Sequence, residues 1–298
     1  MAIDTEQDYI ELLDILIMVV DANRGTPSIG DEKALDAEGL ALKFFGHTVS
    51  AFYLYRGVTI PELTIPITRF PDATSVHVLG RAAFETFLIF HYIFDSALDR
   101  SEQDLRYLAW QLSGVLERKN FPVWSIEAKE QLRTERKIID DLIKKIKAIS
   151  IFTKLPSKQQ KGIIEQGKWR LKSWKEIALS AGLSDIHAES YYSYLCGYAH
   201  SGSLSVLQWR QARSYEEKRD LMGSTINLNL IAIANMISCY CKVFPKSNEY
   251  YIKNHPPQNV VELWLSIGAS TKDEIEKVMQ GHLVTKNAEQ SLIPTTQP

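Results

Sequence analysis

The chain has 298 residues, a formal net charge of −2 and three cysteines. That length can bury a large core, as one extended domain or two intimate ones. The near-neutral charge excludes whole-chain attraction to nucleic acid or to an anionic membrane, so only a local basic patch could serve that purpose. Cys196, Cys239 and Cys241 have no metal-type spacing, and an odd, low count fits reduced thiols in a cytoplasm. Cys239 and Cys241 lie two apart on a predicted helix and face different directions, so they are not a CxxC redox pair.

The N-terminal run is acidic before it turns apolar, the reverse of a secretory signal. It is also too short to span a bilayer. The expectation is a soluble cytoplasmic protein without a membrane span. Tyr9, Leu12, Leu13, Leu16 and Val20 repeat with helical spacing up to the turn Asn23-Arg24-Gly25-Thr26-Pro27. A second helix is predicted over 32–56, stopping at Gly57. Pro61, Pro66 and Pro71 make 58–71 an extended connection with no hairpin signal. Residues 75–95, SVHVLGRAAFETFLIFHYIFD, read as a central, deeply apolar helix.

Ser101-Glu-Gln-Asp104 looks like a helix start, with that helix reaching about Lys119. Ile126, Leu132, Ile139, Leu142 and Ile146 share one side of a long charged helix over 125–149. Residues 150–168, with Pro156 and Gly162, read as a break holding at most one short helix. Ser173 and Glu176 cap the next helix, Gly182 ends it, and Ser184 starts another. Ser214 and Glu217 open a helix running to about Phe244, whose apolar stretch is interrupted by Asn227, Asn229 and Asn235. Short helices are predicted over 259–268 and 271–280, and a polar, disordered tail over 282–298. The fold class is all-α: a multi-helix bundle whose halves, 1–150 and 151–281, pack as a single globular unit.

The most informative pair is Arg81 and Glu85, four residues apart and on one face of the central helix. Sealed in a core, such a pair costs several kcal/mol of desolvation per ion unless further partners satisfy it. Its partners are expected in 191–203, YYSYLCGYAHSGS, through the Tyr194 hydroxyl, the His200 ring or terminal carbonyls. Tyr194, Tyr198 and Trp174 are the candidate ligand-binding residues, and Arg81, Glu85 and His200 the candidate catalytic ones. His47, His77 and His91 show no metal-ligand spacing, and P-loop, GxGxxG, HExxH and GxSxG motifs are missing from the sequence. No metal or cofactor is therefore expected.

Residues 173–195 also have the outline of a helix-turn-helix, with Ile177, Ala178, Gly182 and Leu183 at its small and apolar positions. Its second helix carries Asp185 and Glu189 with no Lys or Arg, which would repel phosphates.

RAAFETFLIFHYIF, KWRLKSWKEIALSAGL and YYSYLCGYAHSG resemble a bacterial family known as a domain of unknown function, number five-six-seven-seven, over roughly 75–210. The resemblance maps that family's Arg-x-x-x-Glu helix, Trp-rich helix pair and Tyr-Ser-His-like segment onto Arg81, Glu85, Trp174, Gly182, Tyr194 and His200. Cys196 or Gly197 stands where the serine is expected. The resemblance implies an all-helical fold and no settled activity.

A looser similarity is to the HEPN helical ribonucleases, in which an Arg steadies phosphate charge and a nearby His moves a proton. LCGYAHSG has that outline, but Ser193, Tyr194 and Leu195 occupy the positions where the Arg is expected. The arginine would have to be Arg81, arriving through the fold. Two functions follow. One is an interaction or regulatory component of a bacterial stress or defence locus, binding another protein or a second copy of itself. The other is a metal-independent ribonuclease acting on RNA through Arg81, Glu85 and His200.

Overall fold

A computed structural model describes residues 4–25, 32–62, 64, 67–118, 122, 124–256, 259–271 and 274. The tail expected over 282–298, and most of the helix expected over 271–280, lie outside the described residues.

Among the described residues there are thirteen α-helices, in the order α1 (Thr5–Ala22), α2 (Glu32–Arg56), α3 (Ala73–Phe90), α4 (Arg100–Arg118), α5 (Ile126–Lys147), α6 (Ser150–Lys154) and α7 (Ser157–Gln166). These are followed by α8 (Trp174–Ser180), α9 (Tyr192–Ala199), α10 (Ser203–Gln211), α11 (Tyr215–Val243), α12 (Pro245–Asn254) and α13 (Val260–Ala269). Their ends follow local chemistry. Asp4, Asp72, Ser125 and Asn259 each accept a first-turn N–H, and Ser173 and Ser214 close full capping boxes with Glu176 and Glu217. Gly57, Gly167 and Gly182 take the left-handed conformation just beyond α2, α7 and α8.

Three stretches depart from the sequence reading. The 58–71 connection contains a small antiparallel ladder, β1 (Val58–Ile60) on β2 (Ile67–Phe70), with Val58 opposite Phe70. The β-branched run Val58, Thr59 and Ile60 favours the extended backbone of β1. The break at 150–168 holds two helices, because Pro156 can begin α7 as readily as it ends α6. Past Phe244, Pro245 occupies the first turn of α12, where its missing N–H costs nothing.

The main core is built on α3 and α11. Val76, Ala83, Phe84, Phe87, Leu88 and Phe90 of α3 are buried, and α3 packs on α2, α11 and α9. α11 is long and apolar enough to cross a membrane, but most of its apolar window is buried inside this body. Two of its interrupting asparagines are buried with their amide nitrogens engaged: Asn229 donates to the Tyr9 hydroxyl and Asn235 to the Ile231 carbonyl. At Gly80 a methyl group would collide with Thr225, so glycine permits the close α3–α11 crossing. A second, smaller core joins Leu105, Ala109 and Leu112 of α4 to Leu142, Ile146, Phe152 and Ile163 of α5, α6 and α7.

At its C-terminal end α3 widens into a π-helical turn, His91–Asp95. The guanidinium of Arg106, buried on α4, donates to the Tyr92 carbonyl (2.5 Å) and the Ser96 hydroxyl (3.0 Å), and pairs with Glu102. The Tyr92 carbonyl, in the last turn before the helix ends, is thus satisfied.

His77 sits at the α3–α11 crossing, fully buried, with Nδ1 2.5 Å from Thr225 Oγ1. Burial lowers its pKa to about 4, from an ordinary 6.5. The unfolded chain therefore binds a proton there that the folded protein refuses. The resulting stability is fully present above about pH 6.5 and is lost as pH falls towards 4, at up to about 1.4 kcal/mol per pH unit. Denaturant titrations of wild type and His77→Gln across this window should show a steeper acid loss for wild type. Parallel pH profiles would contradict the assignment.

Candidate functional site

Arg81 and Glu85 lie on the one stripe of α3 that the core leaves open, together with Thr74, Val78 and Ile89. Arg81 Nε donates to Glu85 Oε1 at 2.9 Å, and the two side chains retain 22% and 27% of their exposure. The pair is therefore part-buried and not sealed in the core, because the apolar residues around it in sequence point to the other faces of the helix.

α9 lies alongside, and its spacing decides which residues arrive. Tyr192, Cys196 and His200 recur every four residues and so form one face. The Tyr192 hydroxyl donates to Glu85 Oε1 at 2.9 Å, and Arg81 Nη1 lies 3.2 Å from His200 Nε2. A guanidinium can only donate, so Nε2 accepts and His200 carries its proton on Nδ1. His200 is exposed and ends α9.

The electrostatics are mutually consistent. Burial opposes the charge on Arg81, but the hydrogen bond and charge of Glu85, with lesser help from Cys196 and Tyr192, raise its pKa overall. Burial first, then the hydrogen bond and charge of Glu85, push the Tyr192 hydroxyl far above its usual value, so it remains a donor. Glu85 is thus held by two donors, and Arg81 is aimed at His200.

Arg170 extends the patch. Its guanidinium lies 3.9 Å over the Trp174 ring, Trp174 packs against Tyr192 (6.4 Å), and Arg81 sits 5.8 Å over the other ring of this series, Tyr192. Arg170 has no carboxylate at ion-pair distance among the described residues. Burial lowers its pKa, partly offset by Tyr192, Glu85 and Tyr92. Trp174 therefore reaches the cluster as a platform for a cation.

Tyr194 and Tyr198 do not join it. They point to the opposite side of α9, where the rings pack on His77 at 5.3 and 3.8 Å, and their hydroxyls meet the Leu221 carbonyl (3.4 Å) and Gln208 (2.7 Å). The tyrosine beside Arg81 and Glu85 is Tyr192, which the four-residue spacing back from His200 would have found. Arg170 left no such signal, since it comes from an irregular segment. In the helix-turn-helix outline, Lys175 pairs with Asp185 (3.3 Å) and with Glu189, so the acidic second helix is engaged within the protein.

Residues 68–214 match a family of unknown function (DUF5677), so the resemblance drawn from the Arg81–Glu85 helix to His200 is shown for that stretch. Neither curated proteins nor solved structures gave a match, and no comparison supports the looser similarity to HEPN ribonucleases.

Because the pair is part-buried and still reaches solvent, Arg81→Ala should cost about 1 kcal/mol in chemical denaturation. A loss of about 3–5 kcal/mol, as for a broken buried pair, would contradict this description.

Proposed function

We propose that the Arg81–Glu85–Tyr192–His200 cluster, in the stretch shared with the family, binds a phosphate ester, and that the protein is a metal-independent ribonuclease-like effector. The observation that carries the reading is the 3.2 Å contact between the Arg81 guanidinium and Nε2 of the exposed His200. A guanidinium has five N–H donors, of which Glu85 and His200 take one each, leaving three for phosphate oxygens. Once Arg81 turns to a phosphate, His200 Nε2 is free to take the proton of an adjacent ribose 2′-hydroxyl. That oxygen attacks phosphorus, the bond to the 5′-oxygen breaks, and the imidazolium returns the proton to the leaving oxygen. Glu85 and Tyr192 act as positioning residues for Arg81. Arg170 on Trp174 adds a second cation and an aromatic face suited to a flanking base.

A second reading rests on a separate observation. Leu204 and Val206 of α10, just beyond His200, are 59% and 58% exposed. Exposed aliphatic groups of this kind suit a binding partner, and the protein would then be an interaction component of a stress or defence locus.

The test is cleavage of labelled single-stranded RNA in excess chelator. Wild type should cleave, His200→Ala should abolish cleavage with an unchanged Tm, and Arg81→Ala should weaken binding and lower its salt dependence. Intact RNA with wild type, or full cleavage by His200→Ala, would end the ribonuclease reading.

A further inference from the structure

The end of α3 brings together three side chains that sequence spacing keeps apart. His91 and Asp95 are one turn apart on the π-helical segment, and Cys239 comes from the C-terminal turns of α11. One ligand atom from each lies within 4.8 Å of the other two. Nδ1 of His91 is 2.9 Å from Asp95 Oδ2, Sγ of Cys239 is 3.2 Å from the same oxygen, and Sγ is 3.7 Å from Nδ1. We infer that His91, Asp95 and Cys239 form a site for a divalent cation of the zinc class, tying the π-helical end of α3 to α11.

Three arguments support the assignment. The first is the direction of hydrogen bonds. Ser180 has one hydroxyl proton and donates it to the Ile177 carbonyl at 2.7 Å. Its 3.2 Å contact with His91 Nε2 therefore requires a proton on that nitrogen. In the neutral ring, Nδ1 then turns a lone pair towards a carboxylate oxygen and a sulfur, an arrangement that calls for a proton or a metal ion between them. The same bookkeeping excludes a serine nucleophile, since the Ser180 proton is not directed at His91.

The second argument is geometric. With zinc–nitrogen and zinc–oxygen bonds of about 2.0–2.1 Å and zinc–sulfur bonds of about 2.3 Å, the donors of a tetrahedral site stand about 3.3–3.6 Å apart. The observed spacings straddle that range, so the ion needs shifts of only a few tenths of an ångström. His91 Nε2–H on Ser180 supplies the outer hydrogen bond that fixes the ring of a ligating histidine.

The third argument is charge. A dication with one thiolate, one carboxylate and a neutral imidazole sums to zero, which suits the burial of His91 and Cys239. Binding displaces the thiol proton and the proton held between His91 and Asp95, and both leave to solvent. Lys242, 3.8 Å from Asp95 and largely exposed, can swing outward as the ion takes its place. The fourth position falls to water. The cluster begins ten residues along the helix from Arg81, about 15 Å at 1.5 Å per residue, so it is separate from the Arg81–His200 patch.

Cobalt(II) titrated into the chelator-stripped full chain tests the site, because a thiolate–cobalt bond gives a charge-transfer band and tetrahedral cobalt gives strong visible bands. Wild type should take up one equivalent with both signatures, and zinc should displace it and raise the Tm. Cys239→Ser should lose the charge-transfer band, His91→Ala and Asp95→Asn should weaken uptake at least tenfold, and Cys241→Ser should behave as wild type. Should Cys239→Ser fail to fold, the wild-type spectrum and the Asp95→Asn titration decide instead. A folded wild type without the thiolate–cobalt band, or uptake by Asp95→Asn equal to that of wild type, would overturn the assignment.

Discussion

The close crossing of α3 and α11 is the constraint on which the rest of the molecule depends. Gly80 lets the helices approach until Thr225 fills the space a side chain would need, and His77 is caught neutral at the same crossing. With α2 and α9 on its other sides, α3 has a single open stripe. A charged pair on this helix can be tolerated only there. The location of Arg81 and Glu85 is therefore a consequence of packing, and their availability to a ligand follows from it.

α9 completes the arrangement by dividing its aromatic residues between two sides. Tyr194 and Tyr198 close over His77 and help seal the core, while Tyr192, Cys196 and His200 look out over the charged stripe. An ion pair that still reaches solvent contributes little to stability, so the part-buried cluster is poorly explained as a stabilising device. A guanidinium held by a carboxylate and directed at a neutral imidazole is an arrangement suited to anions and to proton transfer. At the C-terminal end of α3 the backbone widens into a π-helical turn, where Arg106 satisfies the Tyr92 carbonyl. Such interruptions cluster at functional positions, consistent with the His91–Asp95–Cys239 cluster there.

Much of the architecture was legible because it is written in local chemistry. The Ser173 and Ser214 capping boxes, the stop at Gly57 and the Ser125 cap each fix a boundary within a few residues. The all-helical class followed from apolar periodicity. The β1–β2 ladder left no clear signal because three prolines dominate the stretch that contains it. At the site, sequence led to Arg81, Glu85 and His200, but it chose Tyr194 where the fold uses Tyr192. Exposure was not legible, because the apolar neighbours of Arg81 say nothing about which side of the helix meets solvent. Arg170 and the 144-residue separation of Asp95 from Cys239 lay beyond any spacing rule.

The account turns on His200 being a neutral acceptor for Arg81 and on that contact yielding to a phosphate. Nitrogen-15 NMR of the His200 ring during a titration with inorganic phosphate measures both. The predicted spectrum has the proton on Nδ1 at neutral pH, with the Nε2 signal moving as phosphate is added, and no such movement in Arg81→Ala. A proton on Nε2, or a ring signal indifferent to phosphate in wild type, would contradict the account at its centre.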